Sequence, residues 1–264
     1  VLITNFKYGD AEKFGFSYPE LKSQFPELIV GQIGGFSIDK TRVAYDVVLQ
    51  AETGFMSMNG TPESGPVKMP VAMMDLLAAH QLKEGLLVAL IQRGKTGKGC
   101  LVNVTLEDAG IASLVNQASN YLMNGNVAKP IGSLHPNIAP YGDTFLCKNN
   151  KPIVLAIGSN AQFKKLCSHL GKVKLTTDQR FENNQARLLN RTELQHELSK
   201  LFTNINRDAF LMELHQDNVP AAAIKDLKEV FEDGDQDKDG VTDDKDLCPN
   251  TPRPLRLCPV LFPL

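Results

Sequence analysis

The sequence predicts an α/β chain: a parallel-sheet domain with long helices, then a smaller α+β domain and an irregular acidic tail. Three observations carry this expectation. Short apolar strands at Val1-Leu2-Ile3 and at Leu28–Phe36 are separated by helical stretches, the strand–helix–strand order that builds a parallel sheet. A hairpin and further helices follow a Pro/Gly-rich stretch at residues 124–141. At Asp233 the composition changes sharply to DGDQDKDGVTDDKDLCPNTP. The expected boundaries are therefore 1–123 for the large domain, 124–141 for a linker, 142–232 for the small domain and 233–264 for the tail.

Each element has a local reason. Val1-Leu2-Ile3 reads as a short buried strand. Asp10–Phe14 reads as a short helix stopped by Gly15, and Tyr18–Leu28 as a Pro-led helix stopped by Pro26. Leu28–Phe36 is the second strand. Tyr45–Met58 reads as a helix with Gly54 inside it, and Gly60–Pro70 as a Gly/Pro loop. Asp75–Gln92 is the long helix, and Arg93–Gly99 a polar turn. Cys100–Leu106 alternates as a strand, and Asp108–Met123 returns to helix. In the second half, Asp143–Gly158 reads as a hairpin turning at Asn149-Asn150-Lys151. Asn160–Gly171 reads as an amphipathic helix with a glycine stop, and helices follow at about Asn184–Phe202 and Arg207–Gln216.

Composition narrows the function. The chain has 264 residues, a formal net charge of -2 and no Trp, which argues against nucleic acid as a partner. No apolar run reaches the roughly 18 residues of a membrane span. The start, VLITNFKYGD, lacks a leader pattern and a Met, so the chain is expected to open inside a longer sequence. Cys100, Cys147 and Cys167 lie far apart without metal-ligand spacing and read as reduced thiols of a cytoplasmic protein.

Asp75 stands out because it places one carboxylate in the apolar run MPVAMMDLLAAHQLKEGLLVAL. An aspartate at a helix start is ordinarily a cap that accepts orphan backbone N–H groups. The same surroundings favour the ionised form, and an ionised carboxylate with few waters can attack an acyl carbon. His80 lies about 140° round the helix from Asp75 and is expected to be structural or exposed.

Several stretches, in order, resemble family III CoA-transferases, which include formyl-CoA and carnitine CoA-transferases and are related to α-methylacyl-CoA racemases. Asn5-Phe6-Lys7-Tyr8-Gly9 resembles the family's N-F-[RK]-x-G. FPELIVGQIGGF, Tyr45-Asp46 with Gln50-Ala51, and Gly54–Gly60 also match in sequence order. So do Arg93-x-x-Thr96-Gly97-x-Gly99, His135-Pro136 with Ala139-Pro140-Tyr141, Asp178–Arg191 and Asn218-Val219-Pro220-Ala221. The likeness runs from Val1 to about Glu232.

The resemblance implies a partial Rossmann-like domain and an acyl-CoA:carboxylate CoA-transferase. Asp75 falls on the family's nucleophile, which works through an aspartyl-CoA thioester. Acyl-CoA and a carboxylic acid acceptor are the implied substrates, and an interlocked homodimer is the implied full-length form. The family uses the segment matching Asn5, Phe6 and Lys7 along the CoA nucleotide. Arg42 stands beside Val43, where some members carry a phosphate-binding Lys. Leu106 lies where the family closes its strand over the cofactor. Tyr45 occupies the position of the racemase branch's catalytic His, and tyrosine is a poor base at neutral pH, so transfer is favoured over racemisation. Family members are longer, so a partial copy, or a non-catalytic remnant with a calcium-binding tail, is the further alternative.

The tail carries a second signal. Asp235, Asp237, Asp239, Val241, Asp243 and Asp246 have calcium-loop spacing, with Gly240 at the turn. With Cys248-Pro249 and Thr251-Pro252 after it, the segment resembles a thrombospondin type 3 repeat, an extracellular type of module. The alternative is an acidic linker that binds no ion tightly. Its abrupt start fits a fused or mis-joined coding segment.

Overall fold

The computed structural model describes residues 1–231. Contacts divide the chain into two compact units, Val1–Gly132 and Ser133 onward.

The first unit is built on a three-stranded parallel sheet in the order β1-β2-β5. β1 (Leu2–Thr4) leads through α1 (Asp10–Lys13) and α2 (Tyr18–Gln24) to β2 (Val30–Gly34). This is the crossover that the apolar spacing predicts. α3 (Asp46–Glu52) and α4 (Phe55–Met58) follow, and then the small antiparallel pair β3 (Gly60–Thr61) and β4 (Gly65–Pro66). α5 (Met73–Thr96), β5 (Leu101–Thr105), α6 (Leu106–Ala112) and α7 (Val115–Asn124) complete the unit.

α5 packs against β2, β5, α3 and α6. Two glycines let it lie close to the sheet. A Cβ on Gly85 would stand 2.5 Å from Val102 Cγ1, and one on Gly31 would stand 3.1 Å from Leu86 Cδ2. The first turns of α5 close the unit's core: Met74 and Ala78 are buried with Phe36, Leu49, Leu106 and Ala109.

Several sequence expectations are corrected. β1 is an edge strand whose Ile3 is 60% exposed, so it is not buried. The helix expected over Tyr45–Met58 breaks at Gly54, whose φ of 90° is the left-handed conformation that glycine adopts without a Cβ penalty. The turn expected at Arg93 is still helix. α5 ends only at Gly97, where the Gly97 N–H reaches the Arg93 carbonyl at 2.8 Å. The helix expected from Asp108 starts at Leu106, because Thr105 caps it by accepting the Asp108 N–H at 3.0 Å. It then divides into α6 and α7. The Gly60–Pro70 loop contains the β3–β4 pair.

The second unit has an antiparallel sheet in the order β6-β7-β8, formed by Tyr141–Leu146, Pro152–Ala156 and Ala221–Ala223. The hairpin was expected. β8 was missed, because three alanines after Pro220 carry no alternation to read. α8 (Asn160–His169) starts with a capping box between Ser159 and Gln162. α9 (Asn184–Leu189) and α10 (Arg191–Phe202) replace the continuous helix expected there, breaking at Asn190. α11 (Arg207–Gln216) follows, and α12 (Leu227–Phe231) comes after β8. The sheet and helices enclose a core that includes Phe145, Ile153, Leu155, Phe163, Leu166 and Phe202.

The His135–Tyr141 stretch, part of the expected linker, is fastened within this second unit. Arg187, with no exposed surface, donates to the carbonyls of Ala139 (2.7 Å) and Phe181 (3.0 Å) and to Asn160 Oδ1 (2.8 Å). Its guanidinium lies 4.5 Å from the Phe163 ring centre. Arg191 donates to the carbonyls of His135 and Tyr141 and pairs with buried Asp143 at 2.7 Å. The Arg-x-x-Asn-Arg and His-Pro-x-x-Ala-Pro-Tyr patterns thus meet in space.

Candidate active site

The site lies at the carboxyl edge of the parallel sheet, where ligands bind in open sheets of this kind. β1 ends just before Asn5, β2 just before Gly35 and β5 just before Leu106. Met74 packs with Phe36 and Leu106 at that edge, so the first turn of α5, which carries Asp75, is held there.

Asp75 is the third residue of α5 and does not cap it. The N-cap position is Ala72, which has no capping side chain. Asp46, at the start of α3, caps the helix from outside. Its Oδ1 accepts the Met74 N–H at 2.7 Å and lies 3.4 Å from the Asp75 nitrogen. Gln50, one turn further along α3, donates to Asp46 Oδ2 at 2.5 Å. Fully buried, Gln50 also donates to the Val71 carbonyl and accepts the Met69 N–H at 2.7 Å. One carboxylate and one amide therefore fix the chain entering α5. Both residues stand in the Tyr-Asp-x-x-x-Gln pattern, but sequence alone gives no reason to connect them with Asp75, which is far along the chain.

The Asp75 side chain is exposed and accepts no hydrogen bond from the described residues. Desolvation, and then the negative charge of Asp46, hold its carboxyl above the usual aspartate range. This overturns the expectation that the helix start favours its ionised form.

The other expected contacts fall out unequally. Asn5 and Lys7 are exposed just past β1, while the half-buried Phe6 ring lies 5.8 Å from Phe14 and 6.0 Å from Phe16. Arg42 is engaged by Glu52 through both of its terminal nitrogens and lies 4.0 Å from the Phe36 ring centre. It would have to leave that pair to reach a phosphate. Leu106 is 7% exposed and belongs to the core, so its side chain supports the site from beneath. Tyr45 is 68% exposed. His80 is exposed as expected, with Nδ1 3.1 Å from Lys83 Nζ. The calcium-spaced residues Asp235, Asp237, Asp239, Val241, Asp243 and Asp246 lie outside the described residues.

An exposed carboxylate in the first turn of a helix thus stands at the carboxyl edge of a parallel sheet. The chain belongs to CoA-transferase family III, whose profile matches residues 1–260. It is 33% identical over 241 residues to the succinate–glutarate CoA-transferase of Agrobacterium fabrum, covering 88% of this chain and 58% of that protein. It is 32% identical to the acetyl-CoA:oxalate CoA-transferase of Acetobacter aceti, covering 87% of this chain and 60% of that one. The crystal structure of a CaiB/BaiF family protein from Brucella suis superposes with a TM-score of 0.80 at 38% identity, covering 88% of this chain and 61% of that one. The chain thus spans about three-fifths of the length of these relatives. No described helix is long and apolar enough to cross a membrane.

Proposed function

We propose that the protein takes part in acyl-CoA:carboxylate CoA transfer, with Asp75 as the nucleophile. The observation that carries this is the free, exposed Asp75 carboxylate at the sheet edge, with its basicity raised. An Asp75 oxygen attacks the thioester carbonyl, the C–S bond breaks, and CoA thiolate leaves a mixed anhydride. The thiolate attacks the Asp75 Cγ and releases the donor carboxylate, giving an aspartyl-CoA thioester. An acceptor carboxylate attacks that thioester, and the returning thiolate takes the new acyl group and frees Asp75. Each covalent step is easier than a direct exchange. The relatives named for succinate, glutarate and oxalate support small carboxylic acids as donor and acceptor.

Coenzyme A, as substrate, would lie along Asn5, Phe6 and Lys7 at the end of β1, with Arg42 reaching it after release from Glu52. The exposed apolar residues Leu87, Val88 and Ile91 of α5, and Leu122 and Met123 of α7, favour a homodimer in the longer family form. The cytoplasm is the compartment proposed from the reduced thiols. A calcium role for the tail rests on its spacing alone, and a calcium titration of the chain, with and without Asp237→Ala, tests it. Transfer is tested by incubating the chain with an acyl-CoA and a second carboxylic acid. The reading predicts a new acyl-CoA that Asp75→Asn abolishes. Unchanged transfer in that variant overturns the reading.

A further inference from the structure

We propose that Asp46 is a positioning residue for this reaction: by holding the first N–H groups of α5, it keeps them from the Asp75 carboxylate and leaves that carboxylate free to attack. This deepens the Asp75 reading and rests on it.

The geometry has three parts. A carboxylate at the third position of a helix ordinarily reaches back to free N–H groups, is lowered in pKa by them and by the helix dipole, and loses nucleophilic strength. Here the Met74 N–H is taken by Asp46 Oδ1 at 2.7 Å, with the Asp75 N–H next to it at 3.4 Å. The Asp75 carboxylate accepts no hydrogen bond from the described residues, although it sits in the turn where such bonds are made. Gln50 donates to Asp46 Oδ2, which orients the capping carboxylate toward α5.

The charge of Asp46 acts in the same direction as its hydrogen bonds. It repels the Asp75 anion and holds the Asp75 carboxyl above the usual range, after desolvation. Other acids on the elements packed against α5 are neutralised or turned to other partners. Glu52 on α3 is paired with Arg42. Glu107 on α6 accepts from Ser37, and Asp108 on α6 accepts the Thr105 hydroxyl. β2 and β5 carry no acid or base. On α5 itself, His80 and Lys83 are occupied with one another.

The test is a carboxyl 13C NMR pH titration of the full chain labelled at aspartate, with the Asp75 resonance assigned by its loss in Asp75→Asn. It needs no turnover. In the native chain the Asp75 midpoint is expected above the ordinary aspartate value. In Asp46→Asn, which keeps an oxygen acceptor but removes the charge, it is expected to move to lower pH. Asp46→Ser, a neutral capping residue, is expected to do the same. A native midpoint at or below the ordinary value overturns the proposal even if neither variant folds. So does a midpoint that neither substitution moves, because Asp46 would then be a structural cap only. Failure of the nucleophile reading is read separately, by whether Asp75→Asn abolishes transfer.

Discussion

At the scale of the residue, function and stability ask opposite things of buried and exposed charge. Arg187 shows the stability side: a buried guanidinium whose hydrogen-bond partners are two carbonyls and an amide oxygen. Arg187→Met would leave those acceptors unpaired in a dry core and is expected to cost about 3 kcal/mol, read as a lower urea midpoint. Glu107 shows a pH-dependent contribution. The Ser37 hydroxyl and N–H hold its carboxyl below the usual glutamate range. A depressed carboxyl stabilises the fold above the unfolded glutamate pKa, and that contribution is lost as pH falls through the folded value. Denaturation of Ser37→Ala is therefore expected to show a smaller loss of stability on acidification than the native chain. Asp75 is the functional counterpart. Its place at the start of an apolar helix could be found in the sequence, but its state could not, because the partner that sets it lies on another element.

At the scale of the element, the sequence was most legible where a local signal decides the outcome. Pro19 opening α2 and the glycines after α1 and α8, Gly15 and Gly171, all act within one turn, and each marks a real helix end. Legibility failed where distant packing decides. One local signal was overlooked as well: Thr105 moves the start of α6 back to Leu106, its side chain accepting from Asp108 and so fixing the first turn. Thr105→Ala is expected to cost about 1 kcal/mol, measurable by thermal or urea unfolding. β8 owes its pairing to β7 rather than to its own three alanines. Packing under the site is tight at Gly110, where a Cβ would stand 2.9 Å from both Met74 Sδ and Thr53 Cγ2. Gly110→Ala is expected to cost about 1–3 kcal/mol by overpacking. Because Met74 precedes Asp75, it should also lower transfer more than an exposed substitution such as Lys83→Ala.

At the scale of the whole molecule, each unit carries its own core and its own share of the family's patterns. The first unit holds Asp75 and the strand ends. The second uses its arginines to fasten the His135–Tyr141 stretch. Burial pushes the Cys167 thiol up to about 12, and it raises Cys147 as well. Both are expected to resist alkylation near pH 8 until the second unit unfolds, and mass spectrometry after brief labelling across a urea series checks this. The family match reaches residue 260, while the chain spans 58% of the length of the Agrobacterium relative. The central claim nevertheless concerns one side chain. The chain should be incubated with an acyl-CoA, quenched with hydroxylamine and mapped by peptide mass. A hydroxamate on Asp75, absent in Asp75→Asn, is the predicted result. A hydroxamate on another carboxylate, or none at all, would contradict it.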